Sequence, residues 1–220
     1  MIGLPEVDVI IPVGGTTRYL HDAIASAQSQ SCVETNVILV DARGAPNSPP
    51  IDIPDGVTLV ESPSRLLAGG ARNLGLSIAE ASLVSFLDAD DLWPTSRTSD
   101  LAEMLNGSQR HIAAGKLEIL REPGRSNGLV GPLEGSTALL AGGVLLSRTL
   151  ATAIGDFDPD LRAGEFVEWL ARAKSKGVEL LTSPATSLIR RLHNESSTAR
   201  GAENRADYLK VVKAWMNNND

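Results

Sequence analysis

Three carboxylates, Asp88, Asp90 and Asp91, stand directly after the apolar run Leu83-Val84-Ser85-Phe86-Leu87. Clustered hard oxygens suit Mg²⁺ or Mn²⁺, and a cation held there can in turn grip a diphosphate. Spacing alone is a weak signal. Roughly one Asp-x-Asp is expected by chance at this aspartate content, and Asp156-Phe157-Asp158 and Asp158-Pro159-Asp160 repeat the pattern. Context separates the first occurrence from the others. An apolar run of this length between turn formers reads as a strand buried on both faces, and Leu92-Trp93-Pro94 closes the acidic stretch. In open α/β sheets, ligands bind just beyond the carboxyl ends of the strands. Asp41 holds the equivalent position after Asn36-Val37-Ile38-Leu39-Val40.

The elements that must carry these acids alternate. Val7 to Val13 reads as a β-branched first strand, stopped by Gly14-Gly15. Thr16 or Thr17 is suited to cap a helix with Tyr19, Leu20, Ile24 and Ala27 facing the core. After the second strand, residues 42–55 carry four prolines and form a loop. Val57 to Glu61 is a third strand, Ser64 to Glu80 a helix, and Leu83 opens the strand leading to the acids. This order predicts an α/β fold: a mostly parallel central sheet with helices on both faces, and with Asp41 and Asp88 to Asp91 along one edge. Further on, Pro94 starts a helix reaching Asn106, and His111 to Leu120 is a strand. Leu139 to Ser147 is a strand with Gly142-Gly143 inside, and Arg162 to Lys176 an amphipathic helix. Val178 to Thr182 and Thr186 to Leu192 are closing strands. Residues 122–135 read as a loop and Glu203 to Met216 as a terminal helix.

The chain has 220 residues, 42% hydrophobic, and a formal charge of −7. An acidic surface argues against nucleic acid as a general partner. Cys32 is the single cysteine, which excludes a disulfide framework and a cysteine-based metal site. The opening stretch lacks the basic start of a signal peptide, and no apolar run reaches the length of a membrane span. A soluble, cytoplasmic protein is the expectation.

Four segments, VDVIIPV (7–13), NVILVD (36–41), GGARNLGL (69–76) with SFLDADDLW (85–93), and GDFDPDLRAGEFVEWLARAKSKG (155–177), together resemble glycosyltransferase family 2, the inverting GT-A transferases. The resemblance runs from about Val7 to His193. It implies a GT-A fold as one domain over 1–220, with a nucleotide-sugar-binding half at about 7–93, an acceptor-binding half at about 94–195 and a C-terminal helix at 196–220. It implies transfer of a sugar from a nucleotide donor, commonly UDP-linked, to an acceptor nucleophile, with Mn²⁺ or Mg²⁺ as cofactor. The acceptor is left open as a small molecule, peptide or glycan. Residue by residue, Pro12 and Val13 match the end of the first strand, where the family's nucleotide sits, and Asp41 the acid that contacts the base. Arg72 and Asn73 match the segment lining the nucleotide. Asp88, Ala89 and Asp90 match the Asp-x-Asp that engages ribose and metal. Glu165 falls where the family places its catalytic acid, with Glu168 one helical turn on as the alternative base. His193 matches a further metal ligand or diphosphate contact.

Two departures stand out. The family usually continues the second strand as Asp-Asp-Gly-Ser, where this chain has Asp41-Ala42-Arg43-Gly44, and it commonly shows Glu-Asp where this chain has Glu165-Phe166. Plainer readings exist for several of these residues. Glu165 and Glu168 suit the first turn of any helix. Arg72 is free to pair with Glu80 or another acid, Asn73 can be an ordinary polar contact, and His193 a loop histidine. Trp93 and Trp169 read as core residues, and Asp156, Asp158 and Asp160 as turn formers. The rival functions are a non-catalytic relative that binds nucleotide or a protein partner, and a nucleotidyltransferase.

Overall fold

The computed structural model describes residues 4–44, 49–122 and 134–193. Seven strands form one sheet: β1 (Glu6–Val13), β2 (Glu34–Asp41), β3 (Val57–Glu61), β4 (Leu83–Phe86), β5 (His111–Arg121), β6 (Val144–Ser147) and β7 (Glu179–Leu192). Their order is β3-β2-β1-β4-β6-β5-β7. Neighbours run parallel except where β6 lies antiparallel between β4 and β5. The expected α/β architecture is therefore present. Five helices accompany the sheet among the described residues: α1 (Leu20–Gln28), α2 (Ala68–Ile78), α3 (Arg97–Leu105), α4 (Arg148–Ile154) and α5 (Glu165–Ser175).

Because side chains alternate along a strand, each face of the sheet gathers its own core. Val7, Val9, Ile11 and Val13 of β1 pack with Leu20 and Ile24 of α1 and with Leu101 and Leu105 of α3. Ile10, Ile38 and Phe86 face the other way, toward Ala71 of α2, Phe157, and Phe166 and Trp169 of α5. Trp93 and Trp169 are both buried, as expected of core residues. Asp8, on the second face, is a buried carboxylate satisfied by the N–H groups of Glu80 and Ala81 and by the Asn36 amide. It fixes the turn from α2 into β4.

Several boundaries differ from the expectation. Neither Thr16 nor Thr17 caps α1: the cap position is Tyr19, with no side-chain bond, because the Thr17 carbonyl and the Leu20 N–H close a turn first. The Pro94 turn precedes α3 rather than opening it, with the Arg97 N–H reaching the Pro94 carbonyl. The strand expected over 139–147 is only Val144–Ser147, because Ala141–Gly143 form a 3₁₀ turn packed tightly on Ala138. Helix α4 was not expected. Its start was readable, since the Ser147 hydroxyl accepts the Leu150 N–H, and so was its end at Gly155, where φ is 95°. The two closing strands are one, β7, which runs through Pro184. An edge strand tolerates proline, and the shifted register near Lys116 absorbs it. The terminal helix expected over 203–216 lies outside the described residues, as does most of the 122–135 loop.

Candidate active site

β1, β2 and β4 run parallel, so their carboxyl ends share one edge. Val13 is level with Asp41, and the Leu87 N–H is bonded to the Ile10 carbonyl. The sheet itself therefore puts Asp41 and Asp88 to Asp91 on the same rim, as the strand order requires. Ala89 tucks against the α1/α3 side of the core, so its carboxylate neighbours are held at the surface. Asp88 and Asp90 keep 47% and 30% of their side-chain surface exposed. Asp91 turns inward and accepts the Arg191 N–H at 2.9 Å, anchoring this loop to β7.

The first group is built on Arg72. Its side chain leaves α2 and is 3% exposed. Nη1 donates to Glu165 Oε1 at 2.6 Å and Nη2 to Asp88 Oδ1 at 2.7 Å. One guanidinium thus ties the loop after β4 to the first residue of α5, 93 positions further along the chain from Arg72. Burial works against the positive charge, but the Asp88 and Glu165 carboxylates outweigh it and hold the Arg72 pKa above its ordinary value. Arg72 does not pair with Glu80.

The second group is built on Asp90. His193, at the end of β7 and 2% exposed, meets Asp90 Oδ2 through Nε2 at 2.9 Å. The pKa of Asp90 is raised by burial first and by the Asp88 charge second, while His193 opposes both. Asp91 is raised well above the usual carboxylate range by burial, then by Asp90 and Asp88. Like charges are crowded at this rim. Among the described residues, no three His, Cys, Asp or Glu side chains are drawn together into ion-binding geometry, since Asp88 turns to Arg72 and Asp90 to His193.

The other residues singled out in the sequence lie outside these two groups. Asp41 is engaged by Arg43 of its own loop, through Nε at 2.9 Å and Nη2 at 2.7 Å, which fills the position of the altered Asp-Asp-Gly-Ser motif. Asn73 turns its amide onto the backbone of Phe157, donating to its carbonyl and accepting its N–H, both at 2.8 Å. Glu168 is paired with Arg172 at 2.9 Å, and Arg172 in turn binds the carbonyls of Ile154 and Asp156. Only Glu165 of the two acids is joined to the Asp88 group by a described bond. Pro12 and Val13 end β1 beside Asp41, with the Val13 side chain in the core. Asp158 accepts the Asp160 N–H in the turn around Pro159.

Sequence reasoning passed over a cluster around Tyr19. Its ring lies 4.7 Å from that of His193, with the guanidiniums of Arg191 and Arg18 at 4.4 and 5.0 Å, and its hydroxyl donates to Glu122. Arg191 also reaches Asp22 at 2.9 Å and the Asp90 carbonyl at 3.2 Å. No spacing signal links positions 103 residues apart. Arg97 was also missed. It is fully buried, stacked 3.9 Å from the Trp93 ring, and donates to Ser85 and to the Gly142 and Val144 carbonyls. Burial pulls its pKa down to about 9, so it stays charged at neutral pH.

A sheet of this topology with acids at its carboxyl rim is the GT-A architecture. Staphylococcus aureus TarS, residues 1–349 in complex with UDP-GlcNAc, aligns at a TM-score of 0.73 and 16% identity over 96% of this chain and 65% of that one. The same fragment in complex with UDP aligns at 0.68 and 16%, over 96% of this chain and 64% of that one. The profile of glycosyl transferase family 2 matches residues 8–131, and the chain belongs to that family. Among curated proteins it is 29% identical over 126 residues to the succinoglycan biosynthesis protein ExoO of Rhizobium meliloti (strain 1021), covering 56% of this chain and 36% of that protein. It is 28% identical over 126 residues to the amylovoran biosynthesis glycosyltransferase AmsB of Erwinia amylovora, covering 52% and 42%. The matched region spans well under half the length of these relatives. Among the described residues, no helix is long and apolar enough to cross a membrane.

Proposed function

We propose that the chain is a metal-dependent inverting glycosyltransferase that moves a sugar from a nucleotide-sugar donor to an acceptor nucleophile. The observation that carries this reading is the Arg72 bridge. It joins the acidic loop after β4, suited through a bound cation to a donor diphosphate, to Glu165, which we read as the acid that receives the proton. A uridine donor is favoured by the UDP-GlcNAc and UDP complexes of TarS. A glycan acceptor is favoured by relatives named for succinoglycan and amylovoran biosynthesis.

The residue types at the rim suit a divalent ion, and closing on one would turn Asp88 from Arg72 and Asp90 from His193. Asp88 and Asp90 offer partly exposed carboxylate oxygens, His193 an imidazole nitrogen already on Asp90, and the excess negative charge calls for a cation. Mn²⁺ or Mg²⁺ would be held by Asp88, Asp90 and His193, and would neutralise charge developing on the leaving diphosphate. Pro12, Val13 and Asp41 edge the nucleotide side, while Asn73 spends its amide on the Phe157 backbone. Glu165, 13% exposed and held by Arg72, accepts the proton of the acceptor hydroxyl. Such general-base help is worth about 10² to 10⁴ in rate. Glu168, whose arginine partner Arg172 turns to the Ile154 and Asp156 carbonyls rather than to the acidic rim, is the weaker choice of base.

The test mixes the protein with Mn²⁺ and UDP-, GDP- and TDP-sugars and follows melting temperature and donor turnover. Stabilisation and turnover with one donor, both lost in Asp90→Ala, are expected. Stabilisation without turnover points to a binding protein, and pyrophosphate release from a nucleoside triphosphate to a nucleotidyltransferase. An unchanged response in Asp90→Ala removes this rim from the donor site.

A further inference from the structure

We infer that Arg72 is a positioning residue that competes with a divalent cation for Asp88, so that loading of Asp88 and placement of Glu165 are coupled through one guanidinium. The inference rests on the proposed cation site at Asp88 and Asp90 and deepens it. Asp88 Oδ1, an oxygen a cation would use, is occupied at 2.7 Å by Arg72 Nη2. The other arm of the fork holds Glu165 at 2.6 Å. Nε is buried without a partner, so the two carboxylates are the hydrogen-bonding hold on this group among the described residues. The remaining contact is the Phe157 ring, 5.8 Å from the guanidinium.

A guanidinium cannot escape a second cation by losing its proton. A metal ion arriving on Asp88 therefore repels Arg72 and takes lone pairs it uses, which leaves the fork to Glu165. Departure of the ion returns Arg72 to sharing. Binding couplings of this kind are reciprocal: whatever alters the Arg72–Glu165 bond must alter cation affinity at Asp88. The sign follows from the charges. Removing the Glu165 charge leaves Arg72 wholly to Asp88, so cation binding weakens. Removing Arg72 deletes the competitor, so cation binding tightens even while Glu165 loses its anchor. Through-space charge alone gives the same two signs, so the coupling is read from non-additivity: a guanidinium that did not link the two carboxylates would leave the effect of Glu165→Gln on cation binding unchanged when Arg72 is itself replaced.

Mn²⁺ binding to the full chain, read from the free-ion electron paramagnetic resonance signal with and without UDP, decides between these. Glu165→Gln should weaken Mn²⁺ binding about three- to tenfold, and Arg72→Gln should tighten it by a similar factor, as expected for one nearby charge in a partly screened site. Arg72→Lys, which keeps the charge without the fork, should shrink the effect of Glu165→Gln on Mn²⁺ affinity to less than about twofold, whereas a direct field between Glu165 and the ion would leave it unchanged. Glu179→Gln, the same charge change on an exposed side chain paired with His111, should move it less than about twofold. Wild-type binding with no change in Glu165→Gln overturns the coupling alone. So does weaker binding in an Arg72→Gln protein that still melts cooperatively. If Arg72→Gln does not fold, Glu165→Gln and Arg72→Lys carry the decision. Absence of Mn²⁺ binding in the wild type, with or without UDP, removes the cation site and the coupling with it.

Discussion

Replacing Asn73 tests the joint on which the acidic helix α5 depends. The Asn73 amide closes a ring with the Phe157 peptide through two bonds of 2.8 Å. Phe157 has no freedom to find other partners: it is 0% exposed, stacked on Trp169 at 5.0 Å and edge-on to Phe86 at 5.3 Å. Each lost hydrogen bond removes about 0.5–1.5 kcal/mol net, and a buried peptide group left unpaired costs about 1–3 kcal/mol. Asn73→Ala should therefore destabilise by about 2–4 kcal/mol. Asn73→Asp is the sharper case. It keeps the acceptor for the Phe157 N–H but sets a carboxylate oxygen against the Phe157 carbonyl, acceptor facing acceptor. It should be no more stable than the alanine variant, although it is closer in shape. Urea unfolding monitored by circular dichroism measures the series, and the Phe157 amide should lose hydrogen-exchange protection in the alanine variant. An aspartate variant clearly more stable than alanine, or both within about 0.5 kcal/mol of wild type, would refute the clamp.

Glu165→Gln, assayed at saturating Mn²⁺ and donor, should lose turnover by about 10² or more while donor still binds; full activity would move the base elsewhere. Gly75→Ala places a Cβ 2.4 Å from Ile10 Cγ2, where α2 lies on β1; overpacking of about 1–3 kcal/mol should appear in its urea midpoint. Arg43 holds the Asp41 carboxyl below its ordinary value, chiefly through its side-chain hydrogen bonds. A depressed folded value makes this contribution complete above an unfolded pKa of about 4 and progressively lost as pH falls through the folded value. The stability gap between wild type and Asp41→Asn should thus be open at neutral pH and close in acid, and a gap that widens on acidification would contradict the pairing.

Much of the sheet was legible because its signals are local. The β-branched runs ending at Val13, Val40 and Phe86, with helical periodicity between them, require parallel strands whose ends share a rim. That reasoning places Asp41 on the same rim as Asp88 to Asp91. Errors arose where tertiary packing overrode a local signal. Close approach to Ala138 turned Ala141–Gly143 into a 3₁₀ turn, and an edge position let β7 continue through Pro184.

By itself the amino-acid order determined the first four strands and the acidic rim, and it named residues whose chemistry suits a cation or a proton. Only the tertiary structure decided their partners. Arg72 could have met Glu80, eight residues on, yet it meets Glu165 and Asp88, and Asp90 meets His193, 103 positions along the chain. The physical reason is range: periodicity reports only neighbours within a few residues, whereas ion pairs form wherever packed elements bring opposite charges within a few ångströms and exclude the water that would otherwise screen them.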